Sequence, residues 1–272
     1  MSGVRSQYTQ MFPPKPKWGV NDIPDLTGKV MIVTGGNSGI GKETVKALLE
    51  HNAKRSEKAQ EAINDLKQAT GKEAIFLRLD LGDLHSVKQA AEEFISKKQQ
   101  LHVLFNSAGV MMCPLDMLTA QGYDLQFGTN VLGHFYFTKL LLPILPPTAK
   151  FTPEGKVRVV NMSSSAHYNP LGPPLNLATL KDGPARRKLR NLKTNLTRYS
   201  GSVFKAVTQP LLFPASYGAL TQLWAGTSPE GRELGGKYLI PWARVGVPYA
   251  PANDPARGRD LWAWMEEQIK DM

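Results

Sequence analysis

The sequence predicts an α/β fold, a parallel sheet wound on both faces by helices, and three observations carry that expectation. Short apolar, β-branched runs alternate with helical patterns along most of the chain, the order expected of βαβ units. The first run, Val30 to Val33, passes into a glycine-rich turn and then straight into a helical pattern. The chain has 272 residues, 42% hydrophobic and 21% charged, enough to fill the core of one large domain.

Strand one is Val30 to Val33, followed by a helix from about Ile40 to Glu50. A second helix is expected over Ser56 to Gln68, with Ala59, Ala62, Ile63 and Leu66 on one face. A strand-like run, Glu73 to Leu79, precedes a helix near Leu84 to Lys97, where Val87, Ala90, Ala91, Phe94 and Ile95 recur at helical spacing. The strand Val103 to Phe105 enters the turn Asn106-Ser107-Ala108-Gly109, and a long helix covers about Gly122 to Leu142. Val157 to Asn161 is another strand, ending in Met162-Ser163-Ser164-Ser165. Residues 169–190 are rich in Pro, Gly and basic groups; Gly218 to Ala225 looks helical, and Leu261 to Lys270 reads as a terminal helix. The first residues hold Pro13, Pro14 and Pro16 but no apolar core, so they read as an arm and not as a secretory signal. The expected division is an N-terminal arm, 1–25, and a single domain, 26–272.

The lone cysteine, Cys113, excludes an internal disulfide and a cysteine-based metal site, and fits a reducing, cytoplasmic setting. The five histidines are scattered, so no metal is expected. No run of about 18 apolar residues predicts a membrane span. The net charge of +10 is spread along the chain, and its tightest group, Arg186, Arg187, Lys188 and Arg190, has no interleaved aromatics. An anionic cofactor is the expected target of that charge and nucleic acid is not.

The turn after strand one carries the most chemistry. Gly35, Gly39 and Gly41 let the backbone approach a pyrophosphate, and the helix start presents free N–H groups and a positive dipole end. The run Thr34-Gly35-Gly36-Asn37-Ser38-Gly39-Ile40-Gly41 resembles the Thr-Gly-x-x-x-Gly-x-Gly turn of the short-chain dehydrogenase/reductase family. Later segments match the same family in order, and those around residues 159–167 and 227 are most similar to its retinol-dehydrogenase-like and fungal branch. The resemblance implies a Rossmann-type doubly wound parallel sheet, and hydride transfer between NADP(H), with NAD possible, and a small carbonyl or secondary-alcohol substrate. It implies cofactor contacts at Gly35, Ser38, Gly39, Ile40 and Gly41, at Asp80 and Leu81 near the adenine, at Asn106, Ala108 and Gly109 near the ribose, and at Thr194 near the carboxamide. Arg55 is basic where an NAD site would want an acid on the ribose, which points to NADP. By the same resemblance Ser164 stabilises the developing oxyanion and Asn130 supports the catalytic centre.

Two family elements are missing. Only Asn52 to Arg55 separate the first two helices, and four residues cannot supply a strand of about five or six residues with its turns. Either the first helix unwinds to donate a strand or the sheet lacks a member beside strand one. The family's Tyr-x-x-x-Lys pair, which supplies the proton, has no counterpart: no Lys here follows a Tyr by four. Tyr168 is the nearest substitute and has no Lys in phase. The segment to Leu189 resembles what leads into the family's Tyr/Lys helix, and Asn191 to Leu196 resembles what lies beyond the following strand, so the join skips both. The domain is therefore expected to be incomplete relative to the family, and two clean losses flanked by good matches read as a misspliced or wrongly assembled coding sequence.

Overall fold

The computed structural model describes residues 8–53, 68, 70, 71, 77–168, 176–193 and 213–272. Its centre is a three-stranded parallel sheet in the order β1-β2-β3, made of β1 (Met31–Val33), β2 (Val103–Asn106) and β3 (Arg158–Asn161). Met31 pairs with Val103, and Val103 in turn with Arg158. Alternation decides which face each side chain serves. Val30, Ile32 and Leu104 enter one core; Met31, Val33, Val103 and Phe105 enter the other.

Helices cover both faces. The first core is closed by α2 (Leu84–Lys97), with Leu84, Val87, Ala90, Ala91 and Phe94 buried as one stripe. Asp83 caps α2 by accepting from the His85 amide, and Glu93 pairs with Lys97 one turn apart. The long helix begins as α3 (Leu125–Phe127), widens into a π-helical stretch (Gly128–Gly133) and continues as α4 (His134–Leu141). A 3-10 turn leads on to α5 (Leu145–Lys150). Phe105, Phe137, Ile32 and Leu104 are among the largest fully buried side chains, each worth about 1.5–3 kcal/mol by removal from water.

The second core is closed by α1 (Gly39–Glu50) and, beyond α6 (Pro184–Lys193), by α7 (Ala215–Thr227). A small antiparallel pair, β4 (Leu239–Ile240) and β5 (Arg244–Val245), follows, and α8 (Pro255–Gln268) returns to the first core through Met265 and Trp264. Within the segment expected to be an arm, Ile23 is buried in the second core beside Leu26, and Trp18 and Val20 pack against it. Further out, Tyr238 donates to Gln10 and Arg244 donates to the Thr9 carbonyl, which seats residues 8–12 on the β4–β5 pair.

The helix from Gly39 keeps its full length to Glu50, so it does not unwind to donate a strand. Ala53 makes only an isolated antiparallel bridge to Thr27. Among the described residues β1 has β2 on one side and no strand on the other. The second expected helix lies almost wholly outside the described residues; of the run Glu73 to Leu79, residues 77–79 are described and form no strand.

Candidate active site

The site is built from three chain turns that meet at the carboxyl ends of β1, β2 and β3. The first is the glycine turn. Gly35 has φ +71° and Gly39 has φ +50°, a backbone region that side chains disfavour. A Cβ on Gly41 would stand 2.2 Å from the Gly35 carbonyl oxygen, so only glycine lets the turn fold back on the start of α1. Ser38, the N-cap, makes no side-chain cap bond, which leaves the first-turn amides of α1 for an anion. Ser38 and Gly39 are exposed, while Ile40 is half-buried against Gly218 of α7.

The second turn, Asn106 to Val110, lies directly on the first: a Cβ on Gly35 would meet the Ala108 Cα at 2.9 Å. Thr34 joins the two. Its Oγ1 accepts from the Ser107 and Ala108 amides at 2.8 and 2.9 Å. Asn106 is buried, and its Nδ2 donates to Thr138 of α4 and Asn161 of β3 at 3.0 and 2.8 Å. It ties the central strand to its neighbours. The surface this turn offers to a ribose is the exposed Gly109 and Val110 and the half-buried Ala108.

Asn130 sits inside the π-helical stretch, an irregularity common at functional sites. Its Oδ1 accepts from the Val110 amide and its Nδ2 donates to the Val110 carbonyl, both at 2.8 Å. The side chain holds the turn, and the helix presents its backbone to the site. A Cβ on Gly133 would lie 2.5 Å from the Leu81 carbonyl, which brings the Asp80–Gly82 loop against this helix. Asp80 is exposed and its Oδ1 accepts from the Gly82 amide at 2.8 Å. Leu81 is buried in the first core, so only its backbone can face a cofactor.

The third turn follows β3. Ser164 is exposed, its Oγ accepts from the Ala166 amide, and its carbonyl lies 2.5 Å from His167 Nδ1. Tyr168, the substitute proton donor weighed from sequence, is buried and donates its hydroxyl to the Val247 carbonyl. A cleft of about 510 Å³ runs along the outer edge of β3, between that strand, Thr221 and Gln222 of α7, and Tyr238. Burial pushes the Tyr238 phenol up to about 12, away from the range in which it could act as an acid near neutrality. Arg55 and Thr194 lie outside the described residues.

Sequence reasoning passed over His134. It is buried, it touches both Thr34 and Asn130, and burial lowers its pKa. Its place four residues after Asn130, one turn along a helix, was the available signal. Among the described residues there is no cluster of metal-ligating side chains, and no helix is long and apolar enough to cross a membrane.

A parallel sheet with a glycine turn at the end of its first strand and a helix start aimed out of that turn defines a dinucleotide-binding α/β scaffold. The short chain dehydrogenase family profile matches residues 29–172. A short-chain dehydrogenase/reductase of Armillaria gallica is 52% identical over an alignment covering all of both chains. That alignment is 313 positions long, so 41 of them stand opposite no residue of this 272-residue chain. An uncharacterized oxidoreductase of Schizosaccharomyces pombe is 37% identical over 94% of this chain and 89% of its own length. A crystal structure of an uncharacterized protein from Mycobacterium paratuberculosis shares the fold, with TM-score 0.64 at 24% identity over 93% of this chain and 97% of that one. The chain belongs to the short-chain dehydrogenase/reductase family of oxidoreductases.

Proposed function

We propose that this chain binds NADP(H) and is built for hydride transfer between that cofactor and a carbonyl or secondary alcohol, with proton delivery as its deficient step. The observation that carries the first half is the glycine cradle. Gly41 leaves room where any Cβ would strike the Gly35 carbonyl, and the uncapped start of α1 faces the same space. That geometry fits a pyrophosphate. Gly35, Ser38, Gly39, Ile40 and Gly41 would hold it, Asp80 and the Leu81 backbone would meet the adenosine end, and Ala108 and Gly109 the ribose. The nicotinamide, once bound, supplies or takes the hydride.

Ser164 and Asn130 serve the catalytic side, and Arg55 and Thr194 complete the cofactor side. Ser164 stands exposed at the end of β3, where its hydroxyl can donate to a carbonyl oxygen. Asn130 fixes Val110 and so the distance between the helix and the cofactor turn. Arg55, which carries the preference for NADP, and Thr194 join this assignment from sequence alone. The substrate is a small molecule, and the setting is the cytoplasm, in keeping with a single cysteine.

A second reading, binding without turnover, is favoured by the state of the two phenols nearest the end of β3. The Tyr168 hydroxyl is committed as a donor to the Val247 carbonyl, and Tyr238 is pushed the wrong way. β3, half-exposed where β1 and β2 are fully buried, borders an open cleft at the edge where the skipped helix and strand would follow. Fluorescence titration with NADPH, followed by a ketone panel, separates the readings. Saturable binding with slow ketone-dependent oxidation supports the first, binding with none supports the second, and no binding by folded protein refutes both.

A further inference from the structure

We propose that His134 is a positioning residue that couples the cofactor turn to Asn130, acting as a neutral imidazole with its proton on Nδ1. This rests on the reading of the glycine turn and Asn130 given above.

Protons and lone pairs fix the tautomer. A threonine hydroxyl has one proton and two acceptor lone pairs. Both pairs of Thr34 Oγ1 are taken, by the Ser107 amide at 2.8 Å and the Ala108 amide at 2.9 Å. His134 Nε2 lies 2.8 Å from the same oxygen. A third donor has nowhere to bind, so Nε2 carries no proton and accepts from the Thr34 hydroxyl. The alternative acceptor for that proton, the Phe105 carbonyl, is farther at 3.4 Å and already accepts from the Thr34 amide at 3.0 Å. The ring's remaining proton is then on Nδ1, which donates to the Asn130 carbonyl at 3.0 Å. The contacts close on one arrangement, because the bond made by one ring nitrogen sets the state of the other. Burial favours the neutral ring, and no charged side chain is among the ring's hydrogen-bond partners.

The consequence is geometric. The Asn106–Val110 turn is gripped twice, at Ser107 and Ala108 by Thr34 and at Val110 by Asn130. His134 joins the two grips through the core. The π-helical widening at Gly128–Gly133 displaces the regular amide ladder, and the ring reaches back one turn to serve the Asn130 carbonyl. Movement at the cradle therefore reaches Asn130 by one directed chain of hydrogen bonds.

Nitrogen-detected histidine NMR on the full chain without cofactor reads the tautomer. The expected spectrum shows His134 neutral at pH 7 with protonated Nδ1 and bare Nε2. A protonated Nε2, or a charged ring at neutral pH, overturns the proposal. Amide exchange then tests the coupling. H134L fills the space but removes both bonds, so exchange at Ser107, Ala108 and Val110 should rise about tenfold, as for a lost buried hydrogen bond, with the α2 core unchanged. H134Q, whose side-chain carbonyl can accept from Thr34, should restore protection at Ser107 and Ala108. Equal loosening of the whole core in H134L, or no change at all three amides, refutes coupling. Should H134L not fold, the wild-type tautomer and the H134Q exchange still decide. Neither readout uses NADPH, so a failure to bind dinucleotide counts against the cradle and leaves this result standing.

Discussion

The two ends of the sheet are finished to different standards. At β1 every residue is buried, the glycine turn is closed on α1, and two grips, from Thr34 and from Asn130, hold the neighbouring turn. At β3 the strand is half-exposed, a cleft of about 510 Å³ opens along its outer edge, and the nearest phenols are committed or mistuned. At the first end β1, β2, α1 and α2 bury one another, and α7 closes the second core over them. Under the proposed function, cofactor recognition belongs to the first end of the sheet and the deficient proton delivery to the second.

The sharpest way to break that contrast is to restore the missing piece. Inserting the Tyr-x-x-x-Lys helix and following strand from the genomic locus between Leu189 and Asn191 should raise ketone-dependent NADPH oxidation by about 10²–10⁴, the usual worth of a positioned general acid. NADPH affinity should move by only a few-fold. An equal gain in binding and turnover would show that the cofactor half was also incomplete. Sequencing the transcript across the same join should reveal the skipped stretch; an mRNA that reads straight through would end the splicing account.

Next in size is damage to the intact half. Gly41→Val places a side chain 2.2 Å from the Gly35 carbonyl, an overpacking cost of about 3 kcal/mol, or roughly a hundredfold in NADPH affinity. Calorimetric titration checks it, and unaltered affinity would remove the pyrophosphate from this turn.

Acid should weaken the intact half in particular. His102 and His134 are both buried with pKa lowered, first by desolvation and for His102 also by Lys29. Above the ordinary histidine value, about 6.5, both are neutral folded or unfolded and cost nothing. Below it the unfolded chain binds protons that the folded chain refuses, so stability falls with pH, by up to about 1.4 kcal/mol per pH unit per group. Urea midpoints should drop between pH 6.5 and the lowered folded values; a flat profile would show that these rings are not desolvated. The smallest effect is Asp83→Ala, which removes the cap on the His85 amide and the Gln121 bond and should cost about 1 kcal/mol by thermal melting.

Much of this was legible in the residues. The helix near Leu84 to Lys97 is legible because Val87, Ala90, Ala91 and Phe94 hold one helical phase, and all four are buried. β1 and β2 were legible as continuous apolar runs, as strands buried on both faces must be. Side-chain direction was not. Asn106 turns to Thr138 and Asn161, and Leu81 turns into the core, because their partners come from segments dozens of residues away. The π-helical stretch was hidden because its six residues are too few for a periodic pattern to reveal it. Ile23 falls in the expected arm because an isolated apolar residue beside a proline and charges shows no period, yet it fills the second core.

One experiment bears on the central claim directly: NADPH fluorescence titration of the purified 272-residue chain, with ketones added to the saturated sample. The account predicts saturable binding, and ketone-dependent oxidation far below that of the chain with its Tyr/Lys helix restored. Rapid oxidation by the chain as it stands, or no binding by folded protein, would contradict it.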